Sequence, residues 1–234
     1  RCMTDKLHRP DLGKRKRAVN MVQNGRALSE NIGADGEQLD PPIKSIFVYN
    51  SDPANCAPNT NAVRKGFMRD DLFVAVHETF WTDTCNYADV VIPADTQLER
   101  MDMVATYGNW YFTMNKPVIE PLGESVRNSE LFRMLAKKMD YVEDGDNAFT
   151  QTDEELIRDV LCDEGESNLL MEGIKYEDFE NKGFVRANTG TESRNFMKNG
   201  WPTPSGKIDI WCDALKDEGI DPLPSYVPEI EGQE

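Results

Sequence analysis

Apolar residues in this chain gather into short runs separated by polar, turn-forming stretches. Ile43 to Tyr49, with Ile46, Phe47, Val48 and Tyr49 in succession, is too short for a helix and reads as a buried strand. It breaks into Asn50-Ser51-Asp52-Pro53-Ala54-Asn55, whose residue types favour a turn. Asn59 and Thr60 can cap a helix running to about Arg69. Leu72-Phe73-Val74-Ala75-Val76 predicts a second strand, and Ala88-Asp89-Val90-Val91-Ile92-Pro93 predicts a third after a polar loop. Strand, helix, strand, short helix, strand is the rhythm of a parallel sheet flanked by helices, so these strands should be parallel neighbours.

The pattern changes on either side. Residues 1 to 42 carry a basic patch (Arg9, Lys14, Arg15, Lys16, Arg17) and end at Pro41-Pro42, which reads as a connecting segment around one helix at roughly 18 to 30. Beyond Gln97, an aromatic stretch from Tyr107 to Phe112 precedes a helix from about Asn128 to Met139, with Leu131, Phe132, Leu135 and Met139 on one face. Thr152 and Glu155 form a capping box for a further helix through Leu161. A third, from about Tyr176 to Asn181, should stop at Gly183. Trp201-Pro202-Thr203-Pro204-Ser205-Gly206-Lys207 then leads into a strand-like Ile208 to Trp211, and Pro222, Pro224 and Pro228 punctuate the tail.

Charge narrows the partners. The net charge is −16, and residues 140 to 180 hold fifteen acidic groups against two basic ones. Such a balance argues against non-specific nucleic-acid binding and against an anionic membrane surface. With no run of eighteen apolar residues, direct membrane insertion is not expected either. The chain starts at Arg1, without an initiator Met, and is expected to continue upstream. Cys2, Cys56, Cys85, Cys162 and Cys212 are too dispersed for iron–sulfur or zinc-finger spacing and read as free thiols, and the histidines are only His8 and His77. Neither a redox metal site nor a histidine-based triad is visible in these residues.

In an open parallel sheet, ligands bind beyond the carboxyl ends of the strands. Two such ends carry polar groups: Asn50-Ser51-Asp52-Pro53, and His77-Glu78 leading to Thr82-Asp83-Thr84. An Asn amide and an Asp carboxylate match the donor and acceptor edges of a flat heterocycle, and a carboxylate accepts two parallel bonds from a guanine-like edge. Ordinary Asx-turn and loop chemistry accounts for the same residues. There is no GxGxxG and no GxxxxGK[ST], which disfavours NAD and nucleoside triphosphates. Glu99, Arg100 and Asp102 read as a surface ion-pair cluster, and Cys85 as a small buried residue without an activating partner.

The ordered motifs Pro42-Ile43-Lys44-Ser45-Ile46-Phe47-Val48-Tyr49-Asn50-Ser51-Asp52-Pro53-Ala54, Leu72 to Glu78, Thr82-Asp83-Thr84, and Tyr87 to Ala94 followed by Glu99-Arg100 resemble the dimethyl sulfoxide reductase family of molybdopterin enzymes. Pro202 to Ile208 is similar to the start of that family's last domain, a β-barrel. The resemblance covers nearly the whole chain. It implies a Rossmann-like parallel sheet at 43–96, a return into a neighbouring α/β domain at 97–200, and the beginning of the barrel at 201–234, with 1–42 as connecting segment. It further implies a bis-molybdopterin guanine dinucleotide with molybdenum or tungsten, contacted by Asn50, Ser51, Asp52, Glu78, Thr82, Thr84 and Asp89.

The chemistry so implied is two-electron oxo-transfer or dehydrogenation of a small-molecule substrate. An iron–sulfur cluster would lie in the missing amino-terminal part, and an iron–sulfur electron-transfer subunit would be the partner. A cytoplasmic location is expected, with the periplasm as alternative. Asp52 stands where Asn is commoner in the family, and no G-T-x-x-N-x-E-G-R pattern follows Glu99, which points away from formate. Thr106-Tyr107-Gly108 looks closer to anaerobic-dehydrogenase and biotin-sulfoxide-reductase-like members. The competing expectation is a non-catalytic scaffold of the same fold, as in the large iron–sulfur subunit of respiratory NADH dehydrogenase. A free-standing nucleotide-binding module fits less well.

Overall fold

A computed structural model describes residues 19–33, 36–105, 107–140, 149–161, 171, 173–188, 200–201, 203–223 and 225–226. The basic patch at residues 9–17, Cys2, His8, Cys162, Thr106, Pro202, Pro224, Pro228 and most of the acidic stretch between 141 and 170 lie outside the described residues. The chain divides into two compact units, residues 1–187 and 188–234.

In the first unit, strands β1 (Ser45–Tyr49), β2 (Phe73–Glu78) and β3 (Val90–Pro93) form one parallel sheet in the order β1-β2-β3. β2 is central, and Val74, Ala75, Val76 and His77 in it are all buried, which is why its sequence is apolar without alternation. The register Ile46↔Val74 and Val48↔Val76 puts these four side chains on one face, where they meet Leu28, Val63 and Phe67. On the other face, Phe132 packs against Phe47 and Tyr49, with ring centroids 5.6 and 5.2 Å apart.

Helix α1 (Asn24–Glu30) follows a single 3₁₀ turn at Met21–Gln23, so the helix expected at 18 to 30 is split. The Asn50 to Asn55 stretch is more than a turn: Pro53–Cys56 forms a short helix, α2, with Pro at its first position. Helix α3 (Thr60–Phe67) is capped by Asn59, whose side chain accepts from the Ala62 N–H. α1 and α3 touch through glycines. A Cβ on Gly25 would lie 2.9 Å from Ala62 Cβ, and one on Gly66 would overlap Leu28 Cβ.

Beyond β3 the structure adds a sheet the sequence pattern did not announce. Strands β4 (Asp102–Ala105), β5 (Tyr111–Asn115) and β6 (Phe184–Arg186) pair antiparallel in that order. Its inner side chains, Met103, Phe112, Met114 and Val185, pack with Ile157, Leu161, Tyr176 and Phe179. Those last residues come from α5 (Asp153–Leu161) and α6 (Tyr176–Lys182), while α4 (Asn128–Lys138) is the helix carrying Phe132. The Thr152–Glu155 box forms as expected, and Gly183 ends α6 with φ of 75°.

In the second unit, helix α7 (Asp213–Asp217) is present, but Ile208 to Trp211 is not a strand. The strand expected there is corrected to irregular chain bending at Ile210 and Trp211, with no partner strand among the described residues. No closed barrel forms among the described residues. No described helix is long and apolar enough to cross a membrane.

Candidate functional site

Parallel pairing of Tyr49 with His77 and of Glu78 with Pro93 brings the carboxyl ends of all three strands to one edge. Asn50 leaves β1 in the left-handed region, φ 50°, and its N–H donates to the His77 carbonyl at 3.4 Å. This turn aims the chain outward and leaves Asn50 and Ser51 exposed. Asp52 then turns back. Its Oδ1 accepts from the Thr84 N–H at 3.0 Å and from the Thr84 hydroxyl at 2.6 Å. The Thr84 hydroxyl in turn accepts from the Ala54 N–H at 3.1 Å, and thus caps α2, which has no side-chain cap of its own. Thirty-two residues apart in sequence, the two loops are bonded directly.

A second tie comes from outside both loops. Arg64 on α3 donates from Nε to the Ala54 carbonyl at 3.0 Å, and its other arm reaches Asp83 Oδ2, also at 3.0 Å. Nothing in the sequence singled out Arg64, because an arginine in the last turn of a helix is ordinarily a solvated charge. Thr82 starts the 3₁₀ turn Asp83–Tyr87, with its carbonyl accepting from Cys85 and its hydroxyl 3.4 Å from the Cys85 thiol. Each of the dispersed cysteines is expected from sequence to be a small buried residue; Cys85 is buried in the core, but Cys56 and Cys212 are exposed. Glu78 is half-buried and accepts from the Thr79 N–H through Oε1. Trp81, 70% exposed, is held at this edge by its indole N–H to Asn86 Oδ1.

Six of the seven residues singled out from sequence therefore converge: Asn50, Ser51, Asp52, Glu78, Thr82 and Thr84. Thr84 is fully buried, however, so its hydroxyl serves the loops rather than facing solvent. Asp89 is not brought to this edge. It precedes β3, where its carboxylate accepts from the Val74 N–H at 2.7 Å at the amino end of the sheet. Four register positions separate Val74 from Glu78, about 13 Å along the strand.

The Glu99–Arg100 cluster is not the surface feature that its charges suggested. Glu99 is 3% exposed and accepts from the Thr96 and Leu122 N–H groups; the Thr96 bond foremost holds its carboxyl below the ordinary value. Asp95 is fully buried beside Arg100, and burial pushes its carboxyl up. Asp102 alone of that group stays exposed, on β4. Among the described residues, no group of three His, Cys, Asp or Glu side chains is placed to hold a metal ion. What the edge offers instead is polar recognition: exposed Asn50 and Ser51, and Asp52 Oδ2, which accepts no hydrogen bond among the described residues.

Comparison with known proteins gives this edge a family. Residues 13–138 match the family model for molybdopterin oxidoreductases. The chain is 39% identical over 233 residues to the probable oxidoreductase YoaE of Bacillus subtilis (strain 168), covering 99% of this chain and 32% of that protein. It is 30% identical over 225 residues to the dimethyl sulfoxide reductase DmsA of Escherichia coli (strain K12), covering 83% of this chain and 26% of the relative. Among solved structures, the acetylene hydratase from Pelobacter acetylenicus superposes with a TM-score of 0.59 at 23% identity, over 87% of this chain and 26% of that one. The chain spans about a third or less of the length of these curated relatives. The matched segment contains the whole parallel sheet and both tied loops, and the chain belongs to the molybdopterin oxidoreductase family.

Proposed function

We propose that this chain is the part of a molybdenum or tungsten oxidoreductase's catalytic subunit that grips a bis-molybdopterin guanine dinucleotide. The observation that carries the reading is the convergence of Asn50 to Pro53 and Glu78 to Thr84 on one strand edge, tied by Asp52 and Thr84. The residues fit the group's polar nucleotide end. Asn50 and Ser51 offer exposed donors and acceptors, and Asp52 Oδ2 offers an anionic acceptor for a guanine N–H. Because Oδ1 already takes two bonds from Thr84, Asp52 holds the base through one oxygen rather than two. Thr82 and Glu78 border the same edge. When bound, the group supplies two-electron redox chemistry, serving oxo-transfer or dehydrogenation of a small-molecule substrate.

The same reading keeps a sheet domain at 43–96, a return segment at 97–200 and the start of a barrel at 201–234. It also keeps an iron–sulfur cluster in a preceding part of the polypeptide, an iron–sulfur partner subunit, and a cytoplasmic or periplasmic location. The test compares Asp52→Ala with Thr84→Val in the enzyme carrying this chain. Thr84→Val weakens the loop tie and Asp52→Ala removes it, but only Asp52→Ala removes Oδ2. Loss of a charge-assisted bond costs about 1.5–3 kcal/mol, so guanine nucleotide and metal content should fall about tenfold or more beyond the Thr84→Val value. Equal content in the two variants would remove Asp52 from the site.

A further inference from the structure

We infer that Arg64 is a positioning residue that sets the spacing of the two cofactor-facing loops; this rests on the guanine-nucleotide reading above. Its guanidinium is a planar fork, and the two arms engage different loops: Nε holds the Ala54 carbonyl in α2, and a terminal nitrogen holds Asp83 in the 3₁₀ turn. Asp52 and Thr84 tie the same two elements from within. Arg64 adds a tie at a separate point, so that a shift of one loop against the other is opposed from outside as well as from within.

The platform under Arg64 is closely packed. α3 lies so close to α1 that Gly25 and Gly66 have no room for a Cβ, and Arg69, just beyond α3, donates to the Leu28 and Ile43 carbonyls. The position of the fork is therefore fixed by helix packing outside the site. Its two bonds differ in kind. The contact with Ala54 is partly buried, whereas the Asp83 pair is half-exposed, with side chains 38% and 52% accessible, and contributes little to global stability. A residue of this sort matters more to loop geometry than to the folding equilibrium. A purely structural arginine would show the reverse.

GDP serves as the probe, with the full chain titrated well below its unfolding midpoint. Arg64→Met, by letting the loops shift, should weaken GDP binding about tenfold, the effect of misplacing one charge-assisted hydrogen bond to the nucleotide, with little change in midpoint. Arg64→Lys keeps the charge but not the fork, and should fall between Arg64→Met and the parent. Arg133→Met is the control: it removes the bonds to Glu130, Gln151 and Asp153, none of which belongs to either loop, and should lower the midpoint while leaving GDP affinity unchanged. Parent-like GDP binding by Arg64→Met would overturn the positioning role and leave the nucleotide reading intact. Equal weakening by Arg64→Met and Arg133→Met would reduce Arg64 to a stability residue. If the parent chain retains no GDP, the nucleotide reading itself falls and the inference with it.

Discussion

Replacing Thr84 with Val is the cleanest probe of the loop tie, because the two side chains have nearly the same shape and only the hydroxyl is lost. Thr84 and Ala54 are both fully buried, so water cannot substitute for the missing oxygen. Two interactions go. The hydroxyl's bond to the Asp52 carboxylate is charge-assisted, with a net worth of about 1.5–3 kcal/mol. The Ala54 N–H, at the second position of α2, then has no acceptor, a penalty of about 1–3 kcal/mol. Asp52 keeps its bond from the Thr84 N–H, and the two losses share one hydroxyl, so the terms do not simply add. The expected destabilisation is about 2–4 kcal/mol. Thr84→Ser, which retains the hydroxyl and drops one methyl, should lose only about 0.5–1.5 kcal/mol. Urea unfolding of the full chain measures both, and amide exchange localises the effect, with Ala54 accelerated in Thr84→Val alone. A Thr84→Val chain within about 0.5 kcal/mol of the parent would refute the idea that this hydroxyl joins the loops.

Two further predictions concern the packing and charge pairs of the first unit. Gly66→Ala forces a Cβ into Leu28 at the α1–α3 contact and should destabilise by about 1–3 kcal/mol in denaturant unfolding; a neutral result would mean the helices are not in contact there. For Asp153, burial opposes ionisation, but bonds from Ser129, Arg133 and Arg127 outweigh it and hold the carboxyl below its ordinary value. Its stabilising contribution is therefore complete above the unfolded value of about 3.9 and is lost as pH falls through the lower folded value. Asp153→Asn should flatten the acid limb of the stability–pH curve below about pH 4, and an unchanged limb would rule the ion pair out as a contributor.

The parallel sheet was readable because its strands are short, apolar and separated by strong punctuation; β2, buried on both faces, could be little else. Helix ends at Asn59, Thr152 and Gly183 were readable for a local reason, since a cap is made by residues within one turn of each other. The second sheet was not. β4 and β5 are mostly exposed and β6 has three residues, so no run shows a sustained period of two. Ile208 to Trp211 failed in the opposite direction, showing alternation with no strand to pair with among the described residues. Burial of Asp95 and Glu99 was invisible because charged residues are usually solvated, and Glu99 is held foremost by the Thr96 and Leu122 backbone N–H groups, which have no signature in sequence. Arg64 escaped for a related cause: one of its acceptors is a carbonyl, and both are set by long-range folding.

The motif residues that looked alike in sequence separate into distinct physical roles once folded. In Thr82-Asp83-Thr84, successive side chains around a tight turn point different ways: Thr84 goes inward to Asp52 and Ala54, Asp83 outward to Arg64, and Thr82 stays half-buried beside Cys85. Asp52 is divided within a single side chain, one oxygen holding the neighbouring loop and the other accepting no hydrogen bond among the described residues. Asp89 belongs to neither group, since its carboxylate accepts the Val74 N–H and anchors β3 alongside β2 at the far end of the sheet. A carboxylate already engaged with protein donors meets a ligand as a pre-aligned acceptor, with less side-chain freedom left to lose on binding. Under the proposed reading, placing the tie and the second carboxylate oxygen on the same residue would couple loop geometry to nucleotide recognition at Asp52 and leave the two separable at Thr84.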